Sequence, residues 1–169
     1  MRNWLPALLV FLFLTSCHQT FYIVRHAEKE MTGGTGTMMS NDPPLSEAGK
    51  QRAEALKETL KGKRIGYVFS TNTIRTQSTA EPVRVYFNLV TETYQPIPDQ
   101  LFISRLLSLK KNVLIVGHSN TVDDIVNKLC SSVKIPADLP ETAYDNLFVI
   151  RKKGKKLFFE NRKYGNPSK

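Results

Sequence analysis

The sequence predicts an α/β fold of three layers, α/β/α, with a mostly parallel central sheet and an antiparallel C-terminal hairpin. Three observations carry that prediction. From residue 21 onward, short apolar runs alternate with segments of helical periodicity, the pattern of strands joined by crossover helices. One run, VLIVGH (113–118), is uninterrupted and rich in β-branched residues, as expected of a strand covered on both faces. The last two runs, NLFVIRKK and KKLFFENRK, are separated by Gly154 alone, which signals a hairpin rather than a crossover.

The elements follow in order. FYIV (21–24) is the first strand. AEKEMTGGTGTMMSNDPP (27–44) is a long loop of Gly, Ser, Thr and Pro. Ser46 caps a helix over 47–60, with Ala53, Leu56 and Leu60 on one face. IGYVFS (65–70) is the second strand, and residues 73–87 form a helix that Pro82 interrupts or kinks. LVTETY (89–94) is the third strand, followed by a helix over roughly 99–109 built on Phe102, Leu106 and Leu109. VLIVGH is the fourth strand. Val122, Ile125, Val126 and Leu129 then recur at helical spacing. No internal repeat, second domain or low-complexity linker interrupts the series, and 169 residues suit one domain.

The chain carries a net charge of +9, with 24 Lys and Arg against 15 Asp and Glu. Such a balance suits anionic partners, namely phosphorylated substrates, a negative membrane surface or nucleic acid, and it also serves solubility. Much of the excess falls in RKKGKK (151–156) and NRKYGNPSK (161–169), where a solvated hairpin face accounts for it. No nucleic-acid-binding motif accompanies these residues, so no nucleic-acid partner is expected.

The N-terminus reads as a targeting segment. Arg2 precedes LPALLVFLFL (5–14), a run too short to span a bilayer comfortably. Leu14-Thr15-Ser16-Cys17 follows and resembles the bacterial lipobox. The expected organisation is a signal peptide over 1–16, lipid on Cys17 with a tether over 17–20, a domain over 21–164 and a tail over 165–169. A plain secretory signal or an N-terminal anchor is the alternative. The expected location is the bacterial cell envelope after export, with lipid on Cys17 as the membrane partner. Cys130 is then left as a small buried apolar side chain. A Cys17–Cys130 disulfide would require export without lipidation. With three tether residues spanning about 10 Å at most, the first strand starts near the membrane, and a pocket at its far end opens away from the bilayer or sideways.

Ligands of parallel sheets bind at the carboxyl ends of the strands. Three segments there carry chemistry: Arg25-His26 after strand one, STNTIRTQST (70–79) with Arg75 after strand two, and Gly117-His118-Ser119 after strand four. Two imidazoles and two guanidiniums thus converge on one sheet edge. These motifs, with PLSEAGKQRAEAL (44–56), FSTNTIRTQSTAEP (69–82) and VLIVGHSNTV (113–122), resemble the histidine phosphatase superfamily, also called phosphoglycerate mutase-like. Ala27 stands where the family usually has Gly, a variation that short bacterial members share.

The resemblance implies a phosphatase without metal or other cofactor. His26 is the nucleophile, Arg25 and Arg75 clamp the phosphoryl oxygens, and His118, protonated with phosphate bound, is a further donor. General chemistry supports these roles. A neutral imidazole attacks phosphorus when its other nitrogen donates to a carbonyl, and planar guanidinium matches phosphate bidentately. The family's acid after strand three has no clear counterpart. Glu28, Glu92 and Asp99 are the candidates for proton donor. Short phosphohistidine phosphatases of this family also lack an obvious acid, which tilts expectation toward phosphoramidates, with phosphomonoesters the other option. Mutases of the family are longer, so mutase activity is not expected. A phosphorylated small molecule or a phosphoprotein is the expected substrate. A non-catalytic phosphate- or phosphoprotein-binding lipoprotein on the same fold is the alternative. The three histidines lack metal-ligand spacing, and His18, expected in the tether, is assigned no chemistry. TGGTGT (32–37) lacks the Gly-Lys-Ser/Thr of a phosphate loop and is read as a flexible loop or a flap.

Overall fold

Strand and helix alternate along the chain, and a single six-stranded sheet collects the strands in the order β3-β2-β4-β1-β5-β6. The computed structural model describes residues 18–30 and 42–168. The predicted signal peptide, Cys17 and TGGTGT lie outside the described residues. The elements are β1 (His18–Arg25), α1 (Glu47–Leu60), β2 (Ile65–Ser70), α2 (Ile74–Tyr86), β3 (Thr91–Thr93), α3 (Gln100–Ser108), β4 (Asn112–Gly117), α4 (Val122–Cys130), β5 (Asn146–Lys153) and β6 (Lys156–Lys163). β1, β2, β3 and β4 pair in parallel. β5 runs antiparallel to β1, and β6 returns antiparallel to β5.

Side-chain alternation along the strands divides the core into two layers. Phe21 and Ile23 of β1 face α3 and α4, packing with Ile103, Leu106, Ile125 and Leu129. Tyr22 and Val24 face α1 and α2, packing with Leu56, Leu60, Ala80 and Val83. Valine, leucine and isoleucine at 113–116 of β4 are all fully buried, so this strand is covered on both sides. Among the described residues no helix is long and apolar enough to cross a membrane.

Four expectations are corrected. β1 begins at His18, not Phe21, because residues 18–20 pair with Lys153, Lys152 and Arg151 of β5. The expected tether is therefore sheet, and Gln19 is buried with its amide donating to Leu106 O at 3.1 Å. α2 runs through Pro82 without interruption. β3 is only three residues long, since it is an edge strand with β2 as its one neighbour, and Val90 before it is 78% exposed. The expected tail is packed: Ser168 Oγ accepts the N–H groups of Tyr144 (2.9 Å) and Asp145 (3.0 Å).

Candidate active site

β1 and β4 lie side by side, so their C-terminal ends deliver Arg25-His26 and Gly117-His118 to one place. The His26 N–H donates to Gly117 O at 2.8 Å, which carries the pairing one residue beyond the sheet. The His26 and His118 rings meet edge to face with centroids 5.5 Å apart.

The tautomer of His26 is set by its neighbour. Nδ1 lies 2.8 Å from Ala27 O, and a proton on Nδ1 leaves the lone pair on Nε2. Thr79 of α2 braces this arrangement. Its hydroxyl accepts the Ala27 N–H at 2.9 Å and donates to Arg75 O at 2.7 Å. The Ala27 methyl packs into a small apolar cluster with Leu45 and Ala53. Burial, followed by the charges of Arg25, Arg75 and His118, drives the His26 pKa down to about 3, against the raising effect of the Ala27 bond. His26 is therefore neutral around pH 7.

His118 Nε2 lies 2.8 Å from Thr71 Oγ1, which lies 3.0 Å from Thr76 Oγ1. Thr76 Oγ1 has both Thr71 O (2.9 Å) and Thr73 O (3.0 Å) as acceptors, and the donor-only guanidinium of Arg75 beside Nδ1 puts the His118 proton on Nε2, toward Thr71. Nδ1 of His118 then presents its lone pair to Arg75 Nη2, 3.5 Å away. Burial and the charges of Arg75 and Arg25 lower the His118 pKa to about 4, opposed by Asp42. Beside these two guanidiniums His118 is neutral around pH 7. The charged form expected at this position needs a bound anion to offset the two guanidiniums.

The arginines are anchored differently. Arg75, at the start of α2, donates from Nη1 to Asp42 Oδ1 at 3.0 Å, while Asp42 Oδ2 accepts the Ile74 N–H at 2.8 Å. Arg25 is 1% exposed. Its Nη1 donates to Pro140 O and Glu141 O, both at 2.9 Å, and its guanidinium lies 4.2 Å from the Tyr144 ring centroid. Its Nη2 donates to Glu141 Oε2 at 2.8 Å, and Ser119 Oγ donates to Glu141 Oε1 at 3.0 Å. Buried Nε has no hydrogen-bond partner among the described residues. Nε and Nη2 form one edge of the guanidinium, the edge suited to a bidentate oxyanion. Glu141 thus occupies half of that edge. Burial works to raise the Glu141 carboxyl, but Arg25 and the Ser119 bond hold it below its ordinary value.

The three acids expected as proton donors are engaged elsewhere. Glu28 pairs with Arg52 of α1, with bonds of 2.6 to 2.9 Å. Glu92 pairs with Arg105 at the edge of the sheet. Asp99 caps α3, accepting the Phe102 N–H at 2.7 Å. The carboxylates against the site's arginines are Asp42 and Glu141, neither singled out in the sequence. Glu141 lies in the unpatterned stretch 131–145, and no local signal marks it. Thr71 and Thr79 belong to the STNTIRTQST segment, but only their hydrogen bonds give them a role. Tyr144 was missed too. It lies 6.1 Å from the His26 ring and lines a cavity of about 550 Å³ that Glu28, Arg52, Asn166 and Ser168 also line. Among the described residues no group of three or more His, Cys, Asp or Glu gathers as metal ligands would.

Comparison with known proteins bears on the fold. Residues 21–96 match the histidine phosphatase superfamily (branch 1). No protein of curated function matches the sequence. Among solved structures, the protein histidine phosphatase SixA complexed with tungstate superposes with a TM-score of 0.65 at 20% identity, covering 85% of this chain and 96% of that one. The phosphoglycerate mutase of Bacillus anthracis gives 0.62 at 17%, covering 87% and 93%. A mycobacterial glucosyl-3-phosphoglycerate phosphatase in complex with VO3 gives 0.60 at 13%, covering 86% and 98%. At these identities the likeness is one of fold.

Proposed function

We propose that this chain, a histidine phosphatase superfamily protein by its match over residues 21–96 and by its fold, hydrolyses a phosphorylated substrate through a phosphohistidine on His26. The observation that carries the reading is a neutral imidazole, fixed by Ala27 O at 2.8 Å, beside a second imidazole and two arginines. Nε2 of His26 attacks phosphorus, and the bond from phosphorus to the leaving group breaks with its electron pair on that group. Arg25, through Nε and Nη2, and Arg75 hold the phosphoryl oxygens and stabilise their charge in the transition state. His118 takes up a proton as the dianion binds and becomes a further donor. Water then attacks phosphorus, the P–N bond breaks, and inorganic phosphate leaves a neutral His26.

Two structural neighbours bind tungstate and VO3, tetrahedral or planar oxyanions that such a constellation suits. The B. anthracis mutase aligns over 93% of its own length, so chain length does not separate phosphatase from mutase here, and phosphate transfer to an added acceptor belongs in the assay. With Glu28, Glu92 and Asp99 engaged elsewhere, the arrangement favours leaving groups that need little protonation, such as the imidazole of a phosphohistidine.

The test is phosphate release from p-nitrophenyl phosphate and from a phosphohistidine peptide. His26→Ala should lower both by about 10³-fold or more. The wild type, quenched during turnover, should carry an acid-labile phosphate on His26. Binding of phosphate without turnover would instead assign a non-catalytic binding protein.

A further inference from the structure

The end of the sheet opposite the candidate active site collects positive charge. Crossing the sheet from β2 to β6, Lys63 and Arg64 precede β2, Lys110 and Lys111 precede β4, Lys152 and Lys153 end β5, and Lys155 and Lys156 lead into β6. β1 enters this row at His18, paired with Lys153. His18, Arg64, Lys110 and Lys111 line one recess of about 400 Å³. Five adjacent strands at about 4.8 Å spacing make the row about 19 Å wide. The stretches 61–66, 108–112 and 151–157 contain no acid. None of the eight cations forms an ion pair among the described residues. The nearest acids in sequence, Glu58 and Glu160, are taken by Lys61 and Lys57, and by Arg162 and Arg151.

Helix ends explain part of this row. α1 and α3 end at this pole, and cations after a helix C-terminus offset its partial negative charge. That accounts for Lys63, Lys110 and Lys152, whose Nζ donates to Leu107 O in the last turn of α3, but not for Lys153, Lys155 and Lys156. A second observation bears on the partner. The chain enters the sheet at this pole directly after the apolar run 5–14 and Cys17. Cys17, where lipid is expected, is the residue before His18, and His18 stands in this row.

We infer that this basic pole is a membrane-docking face for anionic lipid headgroups. The chemistry recognised is a layer of lipid phosphates. Each lysine or arginine near such a surface contributes roughly fivefold in binding, so a row of this size turns weak attachment by a single lipid anchor into stable attachment.

The experiment compares the full chain with a variant carrying Lys63→Gln, Lys110→Gln, Lys155→Gln and Lys156→Gln, four exposed residues outside the catalytic constellation. Both retain residues 1–17, so the contribution of that segment cancels. Partition is measured on vesicles of phosphatidylcholine with and without phosphatidylglycerol. The variant should lose about tenfold or more on the anionic vesicles and nothing on the zwitterionic ones. The wild-type preference should collapse between about 0.1 M and about 1 M salt, as the screening length falls from about 10 Å to about 3 Å. Lys50→Gln, in the first turn of α1 at the opposite end, should have no such effect. Turnover of p-nitrophenyl phosphate by the variant should match the wild type. Equal loss on both vesicles, no loss, or displacement of the wild type from anionic vesicles by a duplex oligonucleotide would overturn the inference, the last by assigning the pole to nucleic acid. Should the variant fail to fold, equal binding of the wild type to both vesicles overturns it alone.

Discussion

His26 is kept neutral by burial beside two guanidiniums, and that arrangement has a cost in acid. Its pKa is about 3 in the folded protein and near 6.5 in an unfolded chain. Below pH 6.5 the unfolded state binds the proton first, so stability is complete above that pH and declines toward pH 3, by up to about 1.4 kcal/mol per pH unit. His26→Asn should therefore lose about 2 kcal/mol less than the wild type between pH 7 and pH 5 in urea unfolding. Glu141 supplies a second prediction at this scale. Its carboxylate is 72% exposed and holds Arg25 Nη2, so an incoming phosphate competes with it. With its carboxylate side open to solvent, the pair is worth about 1 kcal/mol. Glu141→Gln should tighten inhibition by inorganic phosphate by up to about fivefold with kcat unchanged, and a fall in kcat would make Glu141 a proton donor. Both histidines and both arginines were legible because each ends or follows a strongly patterned segment. Glu141 and Tyr144 were not, because their roles arise from a loop that folds back across more than a hundred residues of chain onto Arg25.

Among the elements, α1 is tied most closely to the site. Ser46 caps it, with its hydroxyl accepting the Gly49 N–H at 3.2 Å, while the Ser46 N–H donates to Glu28 O at 2.9 Å. The backbone just after the nucleophile thus rests against the first turn of this helix. Gly49 permits the contact, since a Cβ there would lie 2.1 Å from Glu28 O. Gly49→Ala should gain helix propensity of about 1 kcal/mol yet destabilise the protein by about 1–3 kcal/mol net, because the 26–28 segment must move. Chemical denaturation checks the stability, and reduced turnover checks the displacement. The boundaries of α1 and β2 were legible in full, since Ser46 and the apolar periodicity are local signals. β3 was overestimated because pairing on one side only, not propensity, set its length. For α2 the sequence left open whether Pro82 would break the helix or only bend it; the helix continues through Pro82, with Ala80 and Val83 buried in the core.

At the scale of the whole molecule, charge and chemistry lie at opposite ends of β1. The strand is eight residues long and His26 follows it, so the basic pole and His26 are separated by about 26 Å. A protein docked through that pole leaves its catalytic end facing solvent. Turnover of p-nitrophenyl phosphate by the full chain should therefore be the same with and without saturating phosphatidylglycerol vesicles, and inhibition would mean that the pocket meets the bilayer. The sequence by itself determined the strand–helix alternation, the layered α/β/α architecture and the four residues brought to the sheet edge, because periodicity, capping and strand-end motifs are properties of contiguous residues. Only the tertiary structure decided the partners of those residues, the hold of Glu141 on Arg25, the ion pair that engages Glu28, and the joining of three separate lysine-rich stretches into one face. Those depend on the sheet order β3-β2-β4-β1-β5-β6, which sets distant segments side by side and which no local pattern encodes.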